Sequence, residues 1–223
     1  MKLSERIHYV GVNDDEKSLF EGLWPLPSGV SYNSYLAVDE KIALIDTVEH
    51  GFEDEFIAAI AESIGDRNID YLVVNHMEPD HSSLITYIME RYPDLQIVAN
   101  AKTLPMLKGY YAVPEEKVVI VGENDELSLG SCSLRFHMIP MVHWPETMVT
   151  WLEEEKTLFS GDAFGTFGCV DEDVVDNDGT FEEYRDEMIR YYSNIVGKYG
   201  NPVQTALKKL SGLELKRICS THG

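Results

Sequence analysis

One loop constrains this chain more than any other feature. Asn75-His76-Met77-Glu78-Pro79-Asp80-His81-Ser82-Ser83 directly follows a short apolar run, Tyr71-Leu72-Val73-Val74. The run suits a buried strand. Residues 82–91 then place Leu84, Ile85, Ile88 and Met89 along one side of a helix. The loop therefore joins the end of a strand to a helix, a common place for a site. Pro79 stiffens the turn and is expected to keep it out of regular helix. Asp80 could serve merely as a helix cap, but that role leaves both imidazoles unexplained.

The same theme recurs past three other apolar runs. Met141-Val142-His143-Trp144-Pro145 follows a strand expected to end near Ile139. Ser160-Gly161-Asp162-Ala163 follows the strand of residues 157–159, and Ser220-Thr221-His222-Gly223 follows the last strand. Each alone reads as a turn. Together they point to a two-metal site built from His76, Glu78, Asp80, His81, His143, Asp162 and His222. Carboxylates among the imidazoles harden such a site and favour iron or manganese over zinc. Asp46, in Leu44-Ile45-Asp46-Thr47, is expected to hold the ring of a ligand histidine from behind.

Alternation and β-branched content predict strands at residues 6–11, 30–37, 41–46, 71–74 and 96–99. Helical spacing predicts helices at 51–64, 82–91 and 101–109. Beyond Pro114 short strands are expected at 118–121, 126–129, 131–139, 148–151 and 157–159. A long helix is expected from about Phe181 to Lys198, capped by Thr180 with Glu183 three residues on. Gly200-Asn201-Pro202 should break it. Pro202 then opens a last helix to about Leu210, before a final strand at 213–219. Strands and helices in these runs make one mixed, layered domain over residues 1–223, with no linker or low-complexity stretch. Both halves run from strands to helices, a hint of two similar halves without a repeat in the residues themselves.

Lys and Arg number 18 against 39 Asp and Glu, a formal net charge of −21. Nucleic-acid binding needs a cationic surface, so it is excluded, and anionic membranes are disfavoured. No apolar h-region opens the chain, and no apolar run approaches the roughly 20 residues that span a bilayer. Cys132, Cys169 and Cys219 form no CxxC pair and read as buried thiols of a cytoplasmic protein.

The spacing His76-x-Glu78-x-Asp80-His81 resembles the first motif of the metallo-β-lactamase superfamily, with Glu in place of its second His. That variant resembles the diiron domain of flavodiiron proteins, the A-type flavoproteins. Gly29 to Leu36, Ala43 to Thr47, residues 75–81, Phe159 to Gly165, Tyr191 to Ile195 and Thr221 to Gly223 are all similar to segments of that family. The resemblance covers nearly the whole chain.

The resemblance implies an α+β fold, a four-layer αββα sandwich with the metals at one edge of the paired sheets. It implies that His76, Glu78 and His143 hold one iron, that Asp80, His81 and His222 hold the other, and that Asp162 bridges them. Zinc could take their place in a recombinant protein. The implied activity is reduction of O2 to water or of NO to N2O. Electrons would come from FMN on a flavodoxin-like domain, supplied by rubredoxin or another donor, in a head-to-tail homodimer. Tyr191 and Tyr192 are candidates to present a hydroxyl to the irons. Adjacent helix positions face different ways, so one of the two belongs to the core. Trp24 and Pro25 are candidates to wall the pocket, and the acidic residues 171–178 to form a solvated loop. A ligand one residue from the end should fray, so a fragment of a longer flavoprotein is expected. A stand-alone diiron sensor of O2 and a two-zinc hydrolase are the alternatives.

Overall fold

The computed structural model describes residues 1–170 and 180–223. The acidic stretch 171–178 and the side chains of the Thr180–Glu183 cap lie outside the described residues. In chain order the strands are β1 (Ile7–Tyr9), β2 (Val12–Asp14), β3 (Leu19–Phe20), β4 (Trp24–Pro25), β5 (Val30–Tyr32), β6 (Tyr35–Val38), β7 (Ile42–Ile45), β8 (Tyr71–Val73) and β9 (Gln96–Asn100). They continue with β10 (Val118–Val121), β11 (Glu126–Ser128), β12 (Ser133–Met138), β13 (Met148–Leu152), β14 (Thr157–Gly161) and β15 (Arg217–Ser220). The helices are α1 (Glu53–Ile64), α2 (Pro79–Ser82), α3 (Ile85–Arg91), α4 (Thr103–Tyr111), α5 (Thr180–Tyr191) and α6 (Gly200–Leu210).

Two sheets carry the fold, in the orders β1-β6-β7-β8-β9-β10 and β11-β12-β13-β14-β15. In the first, β7 to β10 run parallel and β1 and β6 antiparallel. In the second, only β14 and β15 are parallel. The alternation of each strand explains the layering. Ala43, Ile45, Val73 and Val98 share a core with Leu134, Phe136, Met148 and Phe159 of the second sheet. Ile42, Leu44, Leu72, Ile97, Val149, Trp151 and Leu158 point the other way, into a cluster with Phe56, Ile60, Ile88, Leu107, Val203, Ala206 and Leu210 of the helices. Strands covered on both faces must be apolar throughout, which is why Ile42–Ile45 and Tyr71–Val73 read as continuous runs. The result is a four-layer αββα sandwich. Cys132 and Cys219 are buried in it and Cys169 is half-buried.

Four local expectations change. Residues 30–37 are two strands, because Asn33 and Ser34 leave the ladder. Asn33 Nδ2 donates to the carbonyls of Ser220 (3.1 Å) and Gly223 (3.0 Å), and Ser34 Oγ donates to those of Ile45 and Asp46. Pro79 does not prevent helix; it is the first residue of α2, where a missing N–H has no bond to lose. The long helix unwinds before Gly200. From α5 it passes through a π turn, Tyr192–Val196, and a 3₁₀ turn, Gly197–Tyr199, directly into α6. Ser193 Oγ and Asn194 Nδ2 donate to the carbonyls of Ile189 and Arg190, competing with the backbone ladder there. The final strand begins at Arg217, because the amides of Lys216 and Arg217 are first taken by Lys156 O.

Candidate metal centre

The loop after β8 is held by its own backbone. Asp46, at the end of β7 with φ +55°, points one carboxylate oxygen at the amides of Asn75 (2.8 Å) and His76 (3.4 Å). Thr47 donates to His81 O from both its amide and its hydroxyl, each at 2.8 Å. Ser82 Oγ donates to the carbonyls of Met77 and Glu78. Asp46 therefore fixes the loop backbone, not a histidine ring as expected. Burial raises its carboxyl to about 6.

So anchored, the loop delivers ligand-type groups to the strand ends of the second sheet. One group is His76, Glu78, His143 and Asp162; the other is Asp80, His81 and His222. All seven are buried. Glu78 Oε2 lies 3.3 Å from His76 Nε2 and 2.9 Å from His143 Nε2. Asp162 faces both groups. Its Oδ2 is 2.8 Å from His143 Nε2 and 3.6 Å from His76 Nε2, and its Oδ1 is 3.1 Å from His81 Nε2. In the second group, His81 Nε2 and His222 Nε2 face each other at 3.0 Å, with Asp80 Oδ2 at 3.4 and 3.2 Å.

Outer partners orient these rings. His222 Nδ1 is 2.7 Å from Ser31 O, an atom that only accepts, so the proton sits on Nδ1 and Nε2 turns inward. His76 Nδ1 likewise faces Glu146 Oε1 at 2.9 Å. Thr221 Oγ1 donates to Asp162 Oδ1 at 2.6 Å. Residues 31–35 clamp the strand that carries His222: Gly223 N donates to Ser31 Oγ, and Tyr35 OH donates to Ser220 O. A ligand at this position is thus fixed by the chain itself, and the expected fraying does not occur.

Burial alone would strip charge from these groups, but their mutual attraction outweighs it. His81 and His143 are pushed up to about 9 and His76 well above its usual value by the neighbouring carboxylates. Glu78 and Asp162 are held well below the carboxylate range by the imidazoles. Buried clusters of this kind are stable only when every charge has a counterpart. Here the balance is incomplete: both oxygens of Asp80 and Nδ1 of His81 are buried without a hydrogen-bond partner among the described residues. Two imidazole nitrogens converging on one buried carboxylate oxygen, at 3.2 and 3.4 Å, fit a bound cation between them. Four imidazoles and three carboxylates fit two of them.

The remaining candidates divide. Tyr191 is buried with its ring 5.6 Å from that of His222, and its hydroxyl has no hydrogen-bond partner. Burial first, then the charges of Asp162, Asp80 and Glu78, raise its phenol well above 10. Tyr192 is 46% exposed at the start of the π turn. Trp24 and Pro25 pair in a short hairpin with Leu19 and Phe20; half-buried Trp24 packs against the core and Pro25 is exposed. Phe20 packs edge-on against His222 at 5.3 Å. Exposed Glu21 reaches Glu78, and its carboxyl is raised to about 7 by partial burial and then by that contact. Nothing in the local sequence marks Phe20, Glu21 or Glu146; they join the site only through the fold.

The chain matches the family described as ODP family beta lactamase over residues 30–223. An uncharacterized protein of Methanocaldococcus jannaschii is 36% identical over 225 residues, covering 100% of this chain and 56% of the relative. The anaerobic nitric oxide reductase flavorubredoxin of Escherichia coli O1:K1 / APEC is also 36% identical over 225 residues, covering 99% of this chain and 47% of the relative. Among solved structures, the flavodiiron protein of Giardia intestinalis superposes with a TM-score of 0.93 at 30% identity, covering 100% of this chain and 54% of that one. Rubredoxin oxygen:oxidoreductase of Desulfovibrio gigas gives 0.93 at 31% identity, covering 100% and 56%. The chain spans about half the length of the relatives it matches. It belongs to the ODP family of β-lactamase-fold proteins, and its sandwich is the metallo-β-lactamase-like domain of flavodiiron proteins.

Proposed function

We propose that residues 1–223 form the diiron unit of an oxidoreductase that reduces O2 to water or NO to N2O. The observation that carries this is the division of Asp162, one oxygen toward each ligand group. His76, Glu78 and His143 would hold one iron and Asp80, His81 and His222 the other, with Asp162 between them. Two ferrous ions held there would bind a diatomic and supply two electrons together, replenished from FMN. The names of the E. coli and D. gigas relatives, which join rubredoxin to NO and O2 chemistry, support that substrate class and a rubredoxin-type donor. The relatives' greater length supports a following flavodoxin-like domain, and a head-to-tail homodimer would bring its flavin to the partner's irons. A net charge of −21 disfavours nucleic acid, no helix among the described residues is long and apolar enough to cross a membrane, and we place the protein in the cytoplasm.

The chain's own groups serve the reaction in definite ways. Ser31 and Glu146 fix the protons of His222 and His76 on Nδ1, leaving Nε2 free to ligate. Thr221 holds Asp162 in its shared position. Phe20, Tyr32 and Tyr191 pack their rings around His222 and keep water from that side. Reduction consumes protons as well as electrons. Exposed Glu21, whose carboxyl contacts Glu78, is placed to pass protons between solvent and the site. Tyr191 keeps its proton, so its hydroxyl is able to donate a hydrogen bond into the site.

The test is anaerobic loading with ferrous iron, metal analysis, and O2 or NO consumption with a reduced FMN-bearing flavodoxin as donor. Two irons per chain and donor-dependent turnover are expected. Retention of two zincs against iron, with hydrolysis of an ester or thioester, would overturn the proposal.

A further inference from the structure

The two ligand groups are matched. Each has two imidazoles and one carboxylate of its own, and they share Asp162. What lies behind the rings is not matched. Glu146 stands three residues after His143 yet serves His76. Its Oε1 accepts from His76 Nδ1 at 2.9 Å and from Met77 N at 3.1 Å. Its side chain is 1% exposed, and Oε2 is buried with no hydrogen-bond partner. Its carbonyl accepts from Asn100 Nδ2 at 2.6 Å, which locks the loop from the outer side. In the other group His222 is backed by a neutral carbonyl, Ser31 O, and His81 Nδ1 has no partner. Asp46, the other buried carboxylate nearby, is spent on backbone amides.

A buried carboxylate with one oxygen unpaired is costly, and more so when it carries a charge. A glutamine could accept the same two hydrogen bonds without that charge. The charge itself is therefore the feature to be explained. A carboxylate behind a ligating imidazole fixes the ring and makes its inner nitrogen more basic.

The geometry assigns Glu146 as the positioning residue that makes the His76–Glu78–His143 position the more electron-rich of the two. This rests on the two-iron reading above. An added negative charge favours the higher oxidation state. In the iron-loaded protein the charge of Glu146 behind His76 would lower the potential of the position held by His76, Glu78 and His143 below that of Asp80, His81 and His222, so the first electron given up to an oxidant such as ferricyanide would come from the former.

Glu146→Gln, in the iron-loaded protein, removes the charge and keeps the shape. One iron should bind about 10–100-fold more weakly in chelator competition while the other is unchanged. The two one-electron potentials should draw together, so the half-reduced EPR signal at the midpoint of a redox titration shrinks. Glu146→Asp, which restores the charge, should recover part of that signal. Wild-type iron retention and signal in Glu146→Gln, or equal weakening of both irons, would overturn the assignment. Should the variant fail to fold, zinc-loaded wild type decides. Its His76 Nδ1–H must appear in 15N-edited NMR as a far-downfield, slowly exchanging proton, and a fast-exchanging one overturns the assignment. If wild type itself cannot hold two irons, the underlying reading fails first, before any variant is compared.

Discussion

Replacing Asp162 with alanine removes the one carboxylate that faces both ligand groups. Its oxygens lie 2.8 Å from His143, 3.1 Å from His81 and 3.6 Å from His76, and Thr221 holds it at 2.6 Å. Each ion therefore loses one of four protein ligands. Structural zinc sites of four ligands bind with about 10–16 kcal/mol, so one ligand in four is worth about 2.5–4 kcal/mol. At 1.4 kcal/mol per tenfold, each ion should bind about 10²- to 10³-fold more weakly. Both should go together, because the lost oxygens point to different groups. The assay is anaerobic reconstitution, a graded chelator challenge and iron counting per chain. Wild type should keep two irons at a chelator level where Asp162→Ala keeps fewer than one. Equal iron content in the two proteins, or loss of one iron only, would refute the bridge.

Three further groups and one glycine give contrasting outcomes. His143→Ala touches one group only, so it should lose one iron and keep the other, as counted in the same challenge. Glu21→Gln should leave iron content unchanged in that challenge and lower donor-dependent turnover; an unchanged rate would refute its part in proton supply. Iron binding should expel protons at pH 7, because the ion-free imidazoles of His81 and His143 are charged below about 9. Calorimetry in buffers of different ionisation enthalpy should show release at pH 7 that fades above about pH 10, and no release at any pH would contradict the electrostatics. At Gly165 an added Cβ would sit 2.9 Å from Tyr191 Cε1. Tyr191 is fully buried and cannot yield, so Gly165→Ala should cost about 1–3 kcal/mol of stability, read as a lowered Tm.

The gathering of these seven residues was legible because each stands just past an apolar run, where polar residues have little structural reason to recur. Strand ends converge at one edge of a sandwich, so a theme repeated at four of them becomes one site. The partners behind the ligands were not legible, for a reason visible in Glu146 and Asp46. Both are acids beside turns. Which of them meets a ring depends on how the β12–β13 loop lies against the β8–α2 loop, a tertiary fact with no local signature. Glu21 is hidden in the same way, since a two-strand hairpin carries it to Glu78 across more than fifty positions. The Asn33 and Ser34 break shows the converse. Period-2 alternation across residues 30–37 was genuine, but side-chain bonds to Ser220 and Gly223 outcompeted the ladder. The π turn at Tyr192–Val196 falls between residues with good helical spacing, and only the competing Ser193 and Asn194 bonds mark it.

The division of ligands between the sheets has a mechanical consequence. His76, Glu78, Asp80 and His81 come from one loop of the first sheet, and His143, Asp162 and His222 from three strand ends of the second. Neither sheet can complete either ion's coordination alone: each position takes groups from both. Ion binding therefore adds to the apolar interface between the sheets at the edge where that interface runs out. Binding free energy in such a site is also folding free energy. The strand that leads to His222 is tied to residues 31–35 of the first half by side-chain bonds and by the Asn33 amide, which donates to Thr221 O at 2.8 Å. Bound ions would thus fasten the two sheets a second time, at the edge where the polar clamp around Asn33 already joins them. The clamp sets the ring of His222 through Ser31 and its strand through Asn33 and Tyr35, so that its place beside His81 is determined by contacts within the chain.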